Sequence, residues 1–331
     1  MSEFSHGPPL YPLRFLPRFR EYVWGGRRLE SVMNKQLPDG PRFAESWEIV
    51  DHGDDQSCVS HGPLAGKTLH ELIEQFGPKL LGPNVNCDRF PLLLKFLDAH
   101  QNLSVQVHPN DDQASRQSPP DFGKTEAWVV IHSEPGSKIY AGLLEGVDRA
   151  AFLDALGRNQ VLECLHVLEP SPGDCLLIPA GTVHALGAGL VVAELQQSSD
   201  TTFRLYDWDR LGTDGKPRAL HIDEALASID FEMGPVSVSA PITLESAIHE
   251  RLVSNPAFCW DRWTFTANDE PYQMGPDDRC HLITVLDGRV QFESESSGGT
   301  LLRGDSLLLP ACCDGRMWAS EPTTLLDGFT P

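Results

Sequence analysis

Two short segments, Gly173–Ala180 (GDCLLIPA) and Gly304–Ala311 (GDSLLLPA), decide the fold that this sequence predicts. They lie 131 residues apart and are identical at six of eight positions. In each segment a Gly-Asp turn precedes four residues of strand-like composition, and a proline ends the run. A match of this length at a fixed offset indicates two copies of one β module in tandem.

The rest of the chain has the same punctuation. Its 28 glycines and 26 prolines are spread throughout and separate short apolar runs. Short runs with regular turn residues predict an all-β sandwich or barrel. The predicted strands are Phe90–Leu97, Trp128–His132, Cys164–Leu168, Cys175–Ile178, Gly189–Leu195, His281–Leu286 and Ser306–Leu309.

Three helices are expected as insertions between strands. Thr68 and Glu71 form a capping box in front of a helix that ends at Gly77. Asp148–Leu156 and His221–Ile229 are the other two segments. Because helices and strands do not alternate, a doubly wound sheet is not expected. The expected apolar face of the second helix consists of Phe152, Leu153 and Leu156.

Composition limits the class of protein. The 331 residues are 40% hydrophobic, which is enough for a core and excludes a disordered chain. A net charge of −21 argues against binding of nucleic acid or anionic lipid, which requires a basic face. The eight cysteines contain no CxxC pair, and neither a leader segment nor a membrane-spanning run is visible. We therefore expect a cytoplasmic protein with reduced thiols. The adjacent Cys312 and Cys313 are interpreted as packing residues, with a redox pair or a metal site as the alternatives.

Polar residues alternate with valines in the segment Ser104–Pro109 (SVQVHP). Side chains on a strand alternate between its faces, so Ser104, Gln106 and His108 point to the same side. They line a common inner surface if the strand is internal. An edge strand with its polar side in water explains the same pattern.

Two further segments carry candidate metal ligands. Lys124 and Glu126 share one face just before an apolar run, and Pro179–His184 reads P-x-G-x-x-H after a buried strand. A salt-bridged strand entrance and an isolated core histidine are the alternative interpretations. Together Gln106, His108, Glu126 and His184 offer the mixed nitrogen and oxygen donors that suit Zn²⁺ with open positions.

The sequence resembles a known family at these segments. Gly173–His184 is similar to the second metal motif of cupins, and the chain as a whole resembles the type I mannose-6-phosphate isomerases of the short bacterial class. The downstream position of Glu126 departs from the usual cupin spacing and is a feature of that family. The matching stretches are Val23–Gly26, Glu45–Glu48, Pro91–Asp98, Leu103–Pro109, Gly123–Glu126, Gly173–Leu186 and Gln196–Arg210.

The resemblance implies a fold and a division of labour. It implies two cupin-like jelly-roll modules with a few inserted helices. The position of His184 in the first copy is occupied by Gly315 in the second, and Phe231–Pro241 has the composition of a linker. We therefore predict a metal-binding catalytic domain over residues 1–235 and a β domain without metal ligands over 236–331.

The resemblance also implies a reaction, the interconversion of mannose 6-phosphate and fructose 6-phosphate through a cis-enediol(ate). It assigns one zinc ion to Gln106, His108, Glu126 and His184, and a small sugar phosphate as substrate. Lys95, Ser104 and Lys124 match residues of the substrate pocket, where a cation and a hydroxyl group suit the phosphate. The expected oligomeric state is a monomer or a weak homo-oligomer.

Arg204 matches the active-site arginine of the family and is suited to electrostatic stabilisation, because it stays protonated. The general base stays open. Lys124 is the first candidate, followed by Asp200, Glu48, Glu194 and a metal-bound water molecule. Glu48 and Glu194 are alternatively residues that orient the metal histidines.

Two other functions fit the same residues less well. A non-catalytic cupin that binds a sugar phosphate would not need an intact ligand set together with Arg204. An iron-dependent oxygenase would use His108, His184 and Glu126 as two histidines and one carboxylate. Substrate turnover, metal content and oxygen consumption distinguish these functions.

Overall fold

The computed structural model of the chain describes residues 8–85, 87–212, 215–244, 248–267, 269–295 and 297–331. Strands dominate these residues, so the predicted mainly-β class is confirmed. The chain forms two compact units. The central unit comprises Phe19–Trp47 and Leu93–Ala240, and the terminal unit comprises Met1–Arg18, Glu48–Leu92 and Pro241–Pro331.

These units differ from the predicted domains in the first part of the chain. The boundary at Ala240 lies close to the expected residue 235, but residues 1–18 and 48–92 group with the C-terminal part. One reason is visible in the backbone, where Leu13 and Leu308 exchange two hydrogen bonds of 2.8 and 2.9 Å. No local pattern in the sequence indicates such long-range pairing. The catalytic role of the first predicted domain stays a prediction.

The first thirteen strands build the central unit, apart from a hairpin in the terminal unit formed by the third and fourth. Their bounds are β1 Arg18–Arg20, β2 Glu45–Ile49, β3 Asp51–His52, β4 Asp55–Gln56, β5 Leu92–Ala99, β6 Val105–Val107, β7 Glu126–Ser133, β8 Ile139–Leu143, β9 Leu165–Leu168, β10 Cys175–Ile178, β11 His184–Leu186, β12 Leu190–Gln197 and β13 Phe203–Tyr206.

Two sheets pack face to face in the central unit. One has six strands in the order β1-β2-β5-β12-β7-β10, and the other has five in the order β13-β6-β11-β8-β9. Leu97 and Trp128 of the first sheet and Ile139 and Leu186 of the second belong to one buried cluster. The alternation of side chains along each strand thus places one face inside and makes it available for a pocket.

The terminal unit contains the remaining strands in a six-stranded and a four-stranded sheet, ordered β14-β15-β16-β23-β18-β21 and β17-β22-β19-β20. Their bounds are β14 Ile242–Thr243, β15 His249–Ser254, β16 Cys259–Phe265, β17 Tyr272–Met274, β18 His281–Asp287, β19 Arg289–Glu293, β20 Gly298–Leu302, β21 Ser306–Leu309, β22 Gly315–Trp318 and β23 Thr323–Phe329.

The two repeated segments occupy equivalent strands. β10 ends its six-stranded sheet beside β7, and β21 ends its sheet beside β18. Ile178 lies opposite Glu126, whereas the matching Leu309 lies opposite His281. Gly315 is the residue that matches His184 in the repeat. A Cβ atom added to Gly315 would lie 2.3 Å from Cζ of the Phe292 ring, so the ring occupies the place of a side chain. In the terminal unit this space is therefore occupied by an aromatic side chain.

Three of the helices were predicted. The capping box of Thr68 and Glu71 is present, and the helix runs over Leu69–Phe76. The expected apolar face of the helix at 149–157 is partly wrong, because Phe152 and Ala155 are buried while Leu153 is 41% exposed. The helices are α1 Arg28–Met33, α2 Leu69–Phe76, α3 Pro78–Leu81, α4 Asp111–Ala114, α5 Arg149–Gly157 and α6 Ile222–Ser228, with a 3₁₀ turn at Val161–Cys164.

None of the helices in the described part of the chain combines the length and the apolar character that a membrane crossing demands.

Candidate metal centre and active-site pocket

A polar pocket opens inside the central unit, between its two sheets. β2, β5, β7 and β12 contribute residues from one side, and β6, β11 and β13 from the other. Two-residue periodicity explains the pairs that face it, such as Lys95 with Leu97 and Glu126 with Trp128. The sequence therefore places polar residues at the inner face of otherwise apolar strands.

A cluster of three donor side chains lies at this pocket. Nε2 of His184 is 3.3 Å from Oε1 of Glu126, and Nε2 of His108 is 3.5 Å from Oε2. All three residues are about 99% buried, and their donor atoms lie within 4.8 Å of one another. Donor atoms this close together could share one metal ion after a small adjustment, since zinc binds nitrogen and oxygen donors at about 2.0–2.2 Å.

Both histidines are oriented by backbone carbonyl groups. Nδ1 of His108 donates to the carbonyl of Thr201 at 2.8 Å, and Nδ1 of His184 donates to that of Thr182 at 2.9 Å. The proton on Nδ1 leaves the lone pair of Nε2 directed at Glu126. Burial lowers the pKa of His184 to about 4 and that of His108 well below its usual range, so both rings are neutral donors.

Gln106 joins the cluster from the neighbouring strand. It lies directly opposite His184 in the pairing of β6 with β11, and its Nε2 is 3.3 Å from Nε2 of that ring. The buried hydroxyl group of Ser104 donates to Oε1 of Gln106 at 2.9 Å. The structure thus brings Ser104, Gln106, His108, Glu126 and His184 together, as the alternation in SVQVHP predicts for an internal strand.

Lys124 adds a positive charge beside this cluster. Its Nζ is 3.1 Å from Oε2 of Glu126 and 3.2 Å from Nε2 of His108. Burial and the charge of Glu194 raise the pKa of Glu126, while Lys124 opposes the shift. The buried carboxylate of Glu126 has Lys124 as a close counterion. Its other close neighbours include the neutral rings of His108 and His184.

Lys95 is bound by two carboxylates on the adjoining strands. Its Nζ is 3.0 Å from Oε1 of Glu194 and 3.6 Å from Oε2 of Glu45. Burial lowers the pKa of Lys95, but these carboxylates outweigh it and raise the pKa above its usual value. Trp128 donates from Nε1 to Oε2 of Glu194 at 2.8 Å. Lys95 and Glu194 thus form a buried ion pair in the wall of the pocket.

Arg204 and Asp200 also line the pocket. Arg204 lies directly opposite Gln106 in the pairing of β13 with β6, on the side away from His184. Its buried Nε has no hydrogen-bond partner among the described residues. Asp200 is exposed and lies in the loop between β12 and β13.

Two alternatives that the sequence left open are wrong, namely a place for Glu48 at the site and a role for Glu194 in orienting the metal histidines. Glu48 does not line the pocket; Glu45, three residues earlier on β2, occupies that position, and Oε2 of Glu48 accepts instead from the Ser306 hydroxyl group. Glu194 bonds to Lys95 and Trp128, while the histidines bond to main-chain carbonyls.

Sequence reasoning missed several pocket residues. Trp24 and Glu45 lie in stretches that match the family, so a signal for them existed. Tyr22 lies just before a turn outside the strands, and its ring stacks on that of Trp24 with 5.6 Å between the centroids. Arg218 follows a short bridge between Leu211 and Pro217, and no local pattern indicates that it reaches the pocket.

The donor cluster is spaced so that it could hold a metal ion, and the polar pocket beside it is typical of an enzyme that acts on a small polar substrate. The profile of the catalytic domain of type I phosphomannose isomerase matches residues 13–121. Mannose-6-phosphate isomerase ManA of Bacillus subtilis (strain 168) is 35% identical over 300 residues, which cover 90% of this chain and 93% of that protein.

Two further comparisons agree. Mannose-6-phosphate isomerase of Streptococcus mutans is 33% identical over 299 residues, covering 90% of this chain and 92% of that protein. The crystal structure of the mannose 6-phosphate isomerase from Bacillus subtilis superimposes with a TM-score of 0.87 at 30% identity, covering 96% of this chain and 99% of that one. The chain belongs to the type I mannose-6-phosphate isomerase family of enzymes.

Proposed function

We propose that this enzyme interconverts mannose 6-phosphate and fructose 6-phosphate through a cis-enediol(ate), with one zinc ion bound by Gln106, His108, Glu126 and His184. The observation that carries the proposal is the buried group of His108, Glu126 and His184, whose ring Nε2 atoms both face one carboxylate. The names of the relatives supply the substrate.

The donor set fits zinc. Two neutral imidazoles and one carboxylate are nitrogen and oxygen donors, and Gln106 adds an amide oxygen once its side-chain amide is turned so that Oε1 replaces Nε2 beside His184. No thiolate takes part, which is typical of a site open to substrate. When bound, the ion polarises the carbonyl and hydroxyl oxygens of the substrate as a Lewis acid. The residues of the chain then have to hold the sugar and move a proton between C1 and C2.

Arg204 is suited to stabilising the negative charge that develops on the substrate oxygen. A guanidinium group keeps its proton at neutral pH, and that of Arg204 makes no ion pair with a described carboxylate. Because β13 places it beside Gln106, it lies next to the proposed ligand set. It acts as a fixed charge and not as a base.

Lys124 and Asp200 are the proposed groups for proton transfer. Lys124 lies within 3.2 Å of the donor cluster, whereas Asp200 reaches the pocket from an exposed loop. Lys95 and Ser104, with Lys124, hold the sugar. Loss of turnover in Lys124→Met with retention in Asp200→Asn would assign the transfer to Lys124, and the reverse result to Asp200.

The test is turnover of mannose 6-phosphate in a coupled assay, before and after chelation and with Zn²⁺ restored. We expect chelation to abolish activity and zinc to restore it. The variant His184→Ala, purified in the same way, controls for a host isomerase in the preparation. A folded, zinc-loaded protein without turnover would contradict the proposal and favour a sugar-phosphate-binding protein.

A further inference from the structure

The lysines of the pocket are poor candidates for holding the substrate phosphate. Lys95 is ion-paired with Glu194 and Glu45, and Lys124 with Glu126. Both ammonium groups are about 95% buried. A phosphate group would compete with these carboxylates and would be repelled by them.

The position of Lys124 presents a second difficulty. It contacts His108 and Glu126, where the reacting carbons C1 and C2 have to lie. In a hexose 6-phosphate the phosphate is on C6, at the opposite end of the carbon chain. The cation that binds it should therefore line the same pocket without contacting the donor cluster.

Arg218 meets these conditions. It lines the pocket, yet it comes from the segment after β13 and not from a strand that carries a metal ligand. Its Nε and Nη2 donate to the two carboxylate oxygens of Asp207 at 2.7 and 2.5 Å. Its Nη1 has no hydrogen bond within the described part of the chain. One edge of the guanidinium group is thus fixed, and further donors are free for an anion.

Asp207 is built to hold this arginine. It is 6% exposed and also accepts hydrogen bonds from Arg210, whose Nη1 is bound to the carbonyl of Asn102. Arg210 is therefore anchored on the main chain and does not line the pocket. Because Arg210 holds the Asp207 carboxylate in place, Asp207 in turn fixes the orientation of the Arg218 guanidinium group.

The charges around Arg218 leave room for an anion. Burial, and next the positive charge of Arg218, lower the pKa of Arg204. Two arginines are thus close enough to repel each other, with one shared neighbour in Asp207. An anion between them would relieve this repulsion. Such local charge is needed because the protein as a whole, at −21, repels a phosphate dianion.

We propose that Arg218, held by Asp207, binds the phosphate group of the substrate. The proposal rests on the proposed function, since it names the part of the pocket that selects a phosphorylated sugar. Arg218 touches the substrate, Asp207 is a positioning residue, and Arg204 remains with the reacting oxygens. A planar guanidinium donates two parallel hydrogen bonds to phosphate oxygens.

The test compares Arg218→Ala with Arg158→Ala, which removes the same charge from an exposed pair with Asp154 outside the pocket. For Arg218→Ala we expect the KM for mannose 6-phosphate to rise about 10- to 100-fold with kcat within about twofold. Inhibition by inorganic phosphate should weaken by a similar factor. Turnover of unphosphorylated mannose, measured at high concentration, should not change, and Arg158→Ala should behave like the wild type.

Two further variants separate binding from folding. Arg218→Lys keeps the charge but loses the paired donors of the guanidinium group, so its KM should lie between those of Arg218→Ala and the wild type. Asp207→Glu should retain a lower KM than Asp207→Asn at equal kcat. An unchanged KM and phosphate inhibition in Arg218→Ala, or a fall in kcat at constant KM, would overturn the proposal.

Calorimetric titration with inorganic phosphate keeps this inference separate from the isomerase reaction. If the wild type binds phosphate and Arg218→Ala does not, the subsite stands even without turnover of mannose 6-phosphate. If both bind phosphate equally, the subsite is elsewhere even when the enzyme is active.

Discussion

Gln106 and His184 face each other directly across the pairing of β6 with β11, with 3.3 Å between the amide Nε2 and the imidazole Nε2. On the other side of Gln106, β13 brings Arg204 into the same row. Three residues far apart in the sequence thus form one line across a sheet. This row places two of the proposed metal ligands beside Arg204, which is proposed to stabilise the negative charge on the substrate oxygen.

Replacing His184 should remove the metal. In His184→Ala we expect bound zinc to fall well below one per chain and turnover to be lost, because one of the four proposed ligands is missing. Metal analysis after dialysis is the measurement. His132→Ala, on β7 but outside the pocket, serves as the control. Full zinc stoichiometry in His184→Ala would remove this residue from the ligand set.

Replacing Arg204 should separate chemistry from metal binding. Arg204→Ala should keep its zinc and its circular dichroism spectrum but lose about 10²- to 10³-fold in kcat, since a fixed charge near the reacting oxygen is missing. Arg204→Lys should recover only part of the lost kcat, because it keeps the charge but not the planar guanidinium group. Near-normal kcat in Arg204→Ala would exclude this residue from the reaction.

A methyl group at position 315 should destabilise the terminal unit. The added carbon would lie 2.3 Å from the buried Phe292 ring, and relief of such overpacking costs about 1–3 kcal/mol. Urea unfolding of Gly315→Ala measures the loss. The double variant Gly315→Ala with Phe292→Leu should be less destabilised than the sum of the two single changes. Strict additivity would show that the ring does not occupy this space.

Stability should fall with rising pH because of His281. Burial lowers its pKa, but Asp327 and Asp277 outweigh this and raise it to about 10. The unfolded chain has a histidine pKa of about 6.5, so the folded state holds the extra proton between these values. The contribution is complete below pH of about 6.5 and is lost as the pH rises through the folded pKa.

Urea unfolding at pH 7 and pH 9 tests this dependence. The double variant His281→Asn with Asp327→Asn, which keeps hydrogen-bonding groups but removes the titration, should show a smaller decrease than the wild type. Equal decreases in both proteins would mean that His281 is not charged in the folded state.

Local signals predicted the elements well where a short segment contains its own limits. The strands Cys175–Ile178 and Ser306–Leu309 agree to the residue, because a Gly-Asp turn and a proline bound each of them. α4 was missed, although Asn110 and Gln113 form a capping box. α1 offers less, since Arg27 at its start provides no side-chain cap.

The candidate site was predictable to the extent that alternation along one strand defines it. SVQVHP and the Lys124–Glu126 pair predict the faces that the structure brings together. The choice between Glu45 and Glu48 depends on which face of β2 is internal, and both residues are acidic, so the sequence alone does not decide it. Arg218 depends on the path of a loop and on Asp207, which no spacing rule connects.

The anchoring of His108 and His184 on main-chain carbonyls has a consequence for how this site tolerates mutation over time. Thr201 and Thr182 bind the two rings only through their main-chain carbonyl groups, so substitution of either side chain leaves the hydrogen bond to the ring in place. What has to be inherited is the course of the backbone. Distant descendants can therefore keep the same ring orientation while an alignment shows no constraint at the two positions that provide it.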